Sequence, residues 1–288
     1  MPKTILASLT GFSSDRTVLE AAVAAARIDG GHIQCFHTRI DAVETAAPTS
    51  FVSPHRTENL HGLLQAIASQ EEERSRHARQ AVDEIRKRHA IVLGDAPAER
   101  APISIAWREE VSFLNETLRE ARYHDLTVMA RDEELSSERL LSVLMQSGRP
   151  LLIAPEKPVE VVGKKVAIAW KATAEAARAL TAASFILSRA EKVVILSVSE
   201  NKAGDDSDRF SAEHLARQLA WQGIAAEVRM RYSPSVSTSR ALLDMAYDGD
   251  ADLLVMGAFG HNRIREFVFG GVTRDLLAAS ALPVFMIR

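Results

Sequence analysis

Short apolar runs alternate with longer amphipathic stretches along the whole chain. Each run is five to seven residues long and is bounded by glycine, proline or polar residues, which is typical of strands. Most runs are continuously apolar, as in buried strands, whereas 103–107 and 228–232 alternate apolar with polar residues, as edge strands do. The amphipathic stretches repeat apolar residues three and four positions apart, which indicates helices packed against a sheet. The predicted strands are 5–9, 32–38, 103–107, 126–130 and 150–154 in the first half, and 165–170, 192–198, 228–232, 252–256 and 283–287 in the second.

Predicted helices fill most of the intervals between these strands. They cover 15–29, 58–89, 111–123, 136–147, 174–188, 210–222, 236–247 and 272–279, with Asp15 capping the first. Polar loops are predicted at 41–54 and 201–208. The longest helix has one predicted apolar stripe, which consists of Leu60, Leu63, Leu64, Ile67, Ala78, Ala81, Val82 and Ile85.

The two halves of the chain repeat one pattern, β-α-β-α-β-α-β-α-β. HDLTVMARDEEL at 124–135 corresponds to ADLLVMGAFGHN at 251–262, and SGRPLLIAP at 147–155 corresponds to SALPVFMIR at 280–288. Strands that alternate with helices form parallel sheets covered on both faces, with right-handed crossovers. The sequence therefore predicts an α/β fold with two repeated domains, each a five-stranded parallel sheet.

A proline-containing segment at 155–163 separates the repeats and is predicted to be a linker. The predicted domains are 1–156 and 164–288. A chain of 288 residues fits two domains of about 140 residues each.

The stretch from Asp252 to Thr273 carries the most informative spacing. The predicted strand 252–256 is followed at once by Gly257 and then by Gly260, and after nine more residues comes Gly270, just before a predicted helix. Such a loop can cradle an anion, because glycines let backbone N–H groups approach phosphate and a helix start favours negative charge. The polar residues within the loop include His261, Asn262, Arg263 and Arg265. The alternative is a turn whose glycines serve only the backbone.

This spacing is neither a Rossmann fingerprint nor a Walker loop, but it resembles that of the universal stress protein family. Nucleotide-binding members of that family carry G-x-x-G, nine residues, then glycine followed by serine or threonine. Gly257, Gly260 and Gly270 match this pattern, whereas Gly271 departs from it and a hydroxyl arrives only at Thr273. The resemblance implies a Rossmann-like, adenine nucleotide α-hydrolase-like fold that binds ATP, alone or with Mg²⁺. It also implies that the closing strands of the two halves pair antiparallel.

The first half lacks the glycine loop. Ala130 stands where the second half has Gly257, and it is followed by Arg131, Asp132, Glu133 and Glu134. Acidic side chains at a phosphate cradle repel the ligand. We therefore expect nucleotide in the second half only, with the first half as a structural partner.

The end of the first strand of the second half supplies two further candidates. The family usually has an aspartate there that approaches the nucleotide, but this chain has Lys171, and Thr10 in the first half. Lys171 could reach a phosphate or be a solvated lysine, and Trp170 could stack on a base or belong to the core. The candidate nucleotide-binding residues are Trp170, Lys171, Gly257, Gly260, His261, Asn262, Arg263, Gly270, Gly271, Val272 and Thr273.

Composition narrows the range of functions. A net charge of −3 does not suggest nucleic acid or an anionic membrane as a partner. The single cysteine, Cys35, lies in a predicted strand and is expected to be a buried, inert thiol. No apolar run approaches the roughly 18 residues of a membrane span and no signal peptide is recognisable, so a cytoplasmic location is expected.

Three functions remain open from the sequence. They are a nucleotide-binding regulatory module of the stress response, a weak ATP hydrolase with His261 as proton donor, and a structural stress protein without ligand. No catalytic or metal-binding constellation is predicted, and Asp252 is interpreted as capping or turn chemistry rather than as a magnesium ligand. A homodimer or higher assembly is expected, although tandem halves that pair with each other would permit a monomer.

Overall fold

The computed structural model describes residues 3–39, 57–94, 102–111, 116–131, 137–199, 206–258 and 271–288. The elements of the first half are β1 Thr4–Leu9, α1 Asp15–Asp29, β2 Gly31–Arg39, α2 Thr57–His89, β3 Val92–Leu93, β4 Ile103–Val111, α3 Glu116–Ala121, β5 Leu126–Ala130, α4 Ser137–Gln146 and β6 Leu151–Ala154. Those of the second half are β7 Lys165–Ala169, α5 Ala174–Ala182, α6 Ser184–Leu187, β8 Lys192–Ser199, α7 Asp206–Trp221, β9 Ala226–Tyr232, α8 Thr238–Asp248, β10 Leu253–Gly257, α9 Gly271–Ala279 and β11 Val284–Ile287.

The described strands form one sheet of eleven, in the order β3-β4-β2-β1-β5-β6-β11-β10-β7-β8-β9. The strand order within the two halves corresponds. In the first half β1 lies between β2 and β5, and in the second half β7 lies between β8 and β10. Pairing within each half is parallel, as predicted from the alternation of strands and helices. The halves meet at β6 and β11, which pair antiparallel with Phe285 opposite Leu152. The repeated α/β fold and the expected junction at the closing strands are confirmed.

Helices cover both faces of the sheet. Helices α1, α2, α5, α6 and α7 pack on one face, around a core that includes Leu19, Ile85 and Phe285. Helices α3, α4, α8 and α9 pack on the other, around Phe36 and Leu254. Since apolar side chains of each strand point alternately to the two faces, both faces of the central strands are buried.

Several boundaries differ from the prediction. Strand β4 continues to Val111, where a helix was predicted, because 108–111 pair with 36–39 of β2. The short β3 pairs with β4 and gives the first half a sixth strand. The predicted helix 174–188 is divided at Ala183, whose φ of −85° and ψ of 0° separate α5 from α6. Helix α7 begins at Asp206, within the predicted loop 201–208.

The predicted stripe of α2 is only partly buried. Ala78, Val82 and Ile85 lie in the core, whereas Leu63 is 56% exposed. The predicted stripe therefore faces the core at Ala78, Val82 and Ile85, whereas Leu63 does not. Cys35 is fully buried, and burial raises the pKa of its thiol far above the ordinary value, as expected for an inert cysteine.

A carboxylate before the fourth long strand of each half ties down the start of the first strand. Asp125 accepts hydrogen bonds from the backbone N–H groups of Lys3 at 2.8 Å and Thr4 at 3.1 Å. Asp252 accepts from the N–H groups of Gly163 at 2.6 Å and Lys165 at 3.0 Å. The turn role predicted for Asp252 is therefore observed, and the same device recurs in the first half.

The contributions of the two carboxylates to the free energy of unfolding should depend on pH in opposite directions. Burial tends to raise both pKa values, but the N–H groups of Lys3 and Thr4 outweigh it at Asp125, whose pKa is lowered, whereas burial dominates at Asp252, whose pKa is raised. Asp125→Asn is expected to cost about 1 kcal/mol at neutral pH, since the carboxylate is partly exposed. That cost should shrink as pH falls through the lowered pKa, below the unfolded value of 3.8.

For Asp252→Asn the slope should have the other sign. Protonation of Asp252 favours the folded state as pH falls towards 3.8, so the wild type should gain stability relative to this variant. Urea unfolding of both variants between about pH 3 and pH 7 measures the two slopes. Parallel pH profiles for the two variants would contradict this account.

Candidate functional site

The predicted site lies at the carboxyl edge of the sheet in the second half. Strand β7 runs between β10 and β8, so the strand order reverses beside it. In open α/β sheets ligands bind beyond the carboxyl ends of strands at such a point. The loops that leave β7 and β10 here are 170–173 and the glycine loop, of which Gly257 and Ala258 are described.

Gly257 has a packing role that the spacing did not reveal. A Cβ at this position would lie 2.4 Å from the backbone nitrogen of Ala176 and 2.5 Å from the carbonyl carbon of Glu175. The first turn of α5 therefore rests directly on the end of β10. This contact brings the amino terminus of α5 to the same edge of the sheet as the glycine loop.

The acidic side chain in the first turn of α5 is already paired with a basic one. Thr173 caps the helix, and its Oγ1 accepts from the N–H of Ala176 at 3.3 Å. Glu175 pairs with Arg178 at 2.9 Å, and a hydrogen bond from its own N–H together with that charge holds its pKa below the ordinary value. The loop 170–173 contains no acidic residue. The edge is thus compatible with an anionic ligand.

Helix α9 begins at Gly271, directly after the glycine loop. A Cβ on Gly271 would meet nothing within 4 Å, so this glycine is not required by packing. Val272 is 40% exposed, whereas Thr273 is buried. Thr273 lies three and four positions before the buried Leu276 and Leu277, so it shares their inward face of the helix.

The two candidates after β7 differ in their surroundings. The indole nitrogen of Trp170 donates to the hydroxyl of Ser211 in α7 at 2.9 Å, and the ring packs against the core. Lys171 is exposed. Trp170 therefore links β7 to α7, whereas the Lys171 side chain extends into solvent at the edge. Five predicted site residues lie outside the described ranges: Gly260, His261, Asn262, Arg263 and Gly270.

In the first half an internal carboxylate occupies the corresponding loop. Asp15 accepts from the N–H of Thr10 at 2.7 Å and from the N–H of Gly11 at 2.8 Å. Burial raises its pKa in spite of these bonds. Asp15 is the first residue of α1 and Ser14 is the N-cap, so its predicted role as helix cap was wrong. It binds the loop that precedes the helix instead.

Helix α2 packs against the same loop after β1. A Cβ on Gly11 would lie 2.5 Å from Cβ of Arg74, and the Arg74 guanidinium lies 4.5 Å from the centre of the Phe12 ring. Protein therefore fills the space next to the β1 loop. Because α2 is separated from that loop by more than 40 residues, local sequence pattern does not predict this contact.

A buried polar cluster lies below α2. Nδ1 of His37 lies 3.2 Å from the carbonyl oxygen of Leu9, and the ring stacks on Trp107 with centroids 6.0 Å apart. Burial lowers the pKa of His37, which favours the neutral ring. Arg79 of α2 lies over Trp107 and pairs with Glu109 at 3.0 Å. Nε2 of His37 and Nε1 of Trp107 have no hydrogen-bond partner within the described parts of the chain.

The described ranges hold neither a metal-ligand cluster nor a membrane-spanning helix. Those residues contain no group of three or more histidine, cysteine, aspartate or glutamate side chains that could hold a metal ion. None of the helices described there combines the length and apolar character that a membrane span requires.

Comparison with known proteins identifies the half that carries the glycine loop. Residues 163–288 match the model of the universal stress protein family. The second half of the chain is a universal stress protein domain. A segment of 48 residues is 42% identical to a universal stress protein of Synechocystis sp. (strain ATCC 27184 / PCC 6803 / Kazusa). It covers 17% of this chain and 17% of that protein.

Solved structures extend the likeness in fold to the whole chain. A universal stress protein from Archaeoglobus fulgidus DSM 4304 superposes with a TM-score of 0.67 over 99% of this chain and 98% of its own, at 15% identity. A functionally unknown protein from Pseudomonas aeruginosa PAO1 gives 0.60 over 99% and 92%, at 12% identity. At these identities the likeness shows the fold alone. The first half of the chain therefore resembles these solved structures in fold as well.

Proposed function

We propose that the universal stress protein domain binds ATP or a related adenine nucleotide and acts as a regulatory module in a stress response. The observation that carries the proposal is the spacing Gly257, Gly260 and Gly270, which starts where β10 ends against the amino terminus of α5. Glycines at this spacing allow backbone N–H groups to approach phosphate, and two helix starts at one edge favour negative charge.

Backbone and side-chain groups of the domain would make different contacts with the nucleotide. Backbone N–H groups at Gly257, Gly260, Gly270 and Gly271 would hold phosphate oxygens. Lys171, His261, Asn262 and Arg263 would supply polar or cationic side chains, Val272 would supply apolar surface, and the exposed part of the Trp170 ring could contact the base. Mg²⁺, if bound, would neutralise charge on the phosphate oxygens, and no protein ligand is assigned to it.

The first half is proposed to bind no nucleotide. Asp15 already accepts from the loop N–H groups of Thr10 and Gly11, and α2 packs on Gly11. A phosphate would have to displace a carboxylate and a helix to reach the same groups. The expected stoichiometry is therefore one nucleotide per chain.

The proposal includes the setting in which the protein works. Neither nucleic acid nor membrane is proposed as a partner, and the location proposed is the cytoplasm. A homodimer or higher assembly is proposed, and sedimentation at micromolar concentration distinguishes it from a monomer of 31.5 kDa.

Nucleotide retained during purification tests the proposal. The protein is denatured by heat and the supernatant is separated by nucleotide chromatography. We expect adenine nucleotide in the supernatant, or binding of added ATP where none has been retained. Labelled ATP then separates binding from hydrolysis, since a regulatory module should turn over no more than a trace. Absence of retained nucleotide together with absence of binding at millimolar ATP would favour a ligand-free structural protein.

A further inference from the structure

An arginine of the first half contacts the helix that follows the glycine loop of the second. Arg131 comes directly after β5, and its Nη1 donates to the carbonyl oxygen of Leu277 in α9. Its Nη2 pairs with Oε1 of Glu156 at 2.6 Å, at the start of the linker. One side chain thus joins the sheet of the first half, the linker and α9. This contact crosses the boundary between the halves.

The carbonyl group of Leu277 is available because α9 ends there. The N–H four residues later belongs to Ala281, which donates instead to the hydroxyl of Tyr247 at 2.8 Å. The preceding carbonyl, of Leu276, accepts from the N–H of Ser280 at 2.9 Å. Carbonyl groups at a helix end carry partial negative charge, so a guanidinium at this position is favourable. Arg131 therefore caps the carboxyl end of α9.

The topology explains how the two halves come to share this contact. Strands of the two halves run in opposite directions because β6 and β11 pair antiparallel. The carboxyl end of β5 therefore faces the same edge of the sheet as the carboxyl end of α9, which runs antiparallel to β10. At the position after β10 stands Ala258, which is buried and lacks a charged side chain. Ala258 cannot make an equivalent contact with the first half, so it provides no counterpart of the Arg131 contact.

Helix α9 connects this contact to the proposed phosphate site. Its first residue, Gly271, follows the glycine loop, and its nine residues span about 13 Å. A helix this short moves as one rigid element, so its carboxyl end influences where its amino terminus lies. We propose that Arg131 is a positioning residue through which the first half holds α9 in the orientation that binds phosphate. This inference rests on the proposed nucleotide function.

The first half contains a matched control. Nη2 of Arg122 donates to the carbonyl oxygen of Gln146 at 3.4 Å, at the end of α4. Helix α4 is the counterpart of α9 in the half without a glycine loop. Arg122→Gln thus removes the same kind of contact, a guanidinium on a helix carboxyl end, without touching α9. Glu156→Gln removes only the ion pair of Arg131, and Glu156 is largely exposed.

The test combines two readouts on the full-length chain. Hydrogen exchange without nucleotide follows the backbone amides of 271–281, and calorimetry measures ATP affinity. Arg131→Gln is expected to speed exchange in this segment about threefold to fivefold and to weaken ATP binding about threefold. Arg131→Lys should recover part of both, because it keeps the charge without the planar fork. Arg122→Gln and Glu156→Gln should resemble the wild type in both.

Each alternative result has a distinct meaning. Unchanged exchange in 271–281 for Arg131→Gln would overturn the positioning role, whatever the affinity. Faster exchange with unchanged ATP affinity would overturn the coupling to the site. An equal loss of affinity in Arg122→Gln would attribute the effect to general destabilisation. A wild type that binds no ATP would instead refute the proposed function, and the exchange readout would still report on the contact itself.

Discussion

Gly257→Ala is expected to lower the free energy of unfolding of the universal stress protein domain by about 3 kcal/mol. The new Cβ would lie 2.4 Å from the nitrogen of Ala176 and 2.5 Å from the carbonyl carbon of Glu175. These are backbone atoms of α5, which cannot rotate away as a flexible side chain can. The helix would have to move off β10, and the core contacts of Ala176 and Ala179 would loosen.

Gly271→Ala is the control for this prediction. It adds the same methyl group to the other end of the glycine loop, where a Cβ meets nothing within 4 Å. Its effect should be neutral or stabilising by about 0.5 kcal/mol, because alanine narrows the unfolded ensemble. Urea unfolding of both variants gives the two free energies. Equal stabilities would show that α5 does not rest on Gly257.

The second large effect concerns affinity rather than stability. Gly260→Ala and Gly270→Val should each weaken ATP binding about tenfold or more. A Cβ would push the phosphate off its N–H donors, and each charge-assisted hydrogen bond that is lost costs roughly 1.5–3 kcal/mol. Where a position requires φ above zero, the Cβ costs roughly a further 1–2 kcal/mol in backbone strain. About 1.4 kcal/mol corresponds to one decade of affinity. Calorimetry measures the affinities, and circular dichroism verifies that the variants are folded.

Two further variants calibrate this result. Thr273→Ala should cost less than either glycine variant, since at most one hydroxyl contact is lost and the side chain is buried. Arg263→Ala should weaken binding in a salt-dependent way if its charge faces phosphate. If Gly260→Ala and Gly270→Val remain folded and bind ATP like the parent, the glycines serve only the turn and the nucleotide proposal loses its main support.

Much of the fold follows from local pattern. Compact apolar runs identify most of the ten long strands, because burial on both faces of a parallel sheet requires continuous apolar segments. Strands β4 and β9 are identified instead by the alternation of apolar and polar residues. The end of β4 was missed because Arg108, Glu109 and Glu110 do not resemble a strand. Its charged residues are accommodated by ion pairs, such as Glu109 with Arg79 at 3.0 Å. The break at Ala183 was missed because no glycine or proline marks it.

Only the part of the candidate site that depends on residue spacing along the chain could be predicted from the sequence. Glycine spacing identified the loop after β10 and the difference between the halves. The clash that makes Gly257 necessary depends on α5, some 80 residues earlier in the chain. The occupation of the Thr10 and Gly11 N–H groups by Asp15, and the reach of Arg131 to Leu277, depend on side-chain direction. Contacts of this kind become visible only once tertiary structure brings the partners together.

The stoichiometry of ATP binding tests the central claim most directly. Nucleotide-free full-length protein is titrated with ATP in a calorimeter, in the presence and absence of Mg²⁺. We expect one site per chain, located in the universal stress protein domain and weakened by Gly260→Ala. Two equivalent sites per chain would show that Asp15 and α2 do not exclude nucleotide from the first half, and no binding at all would contradict the proposed function.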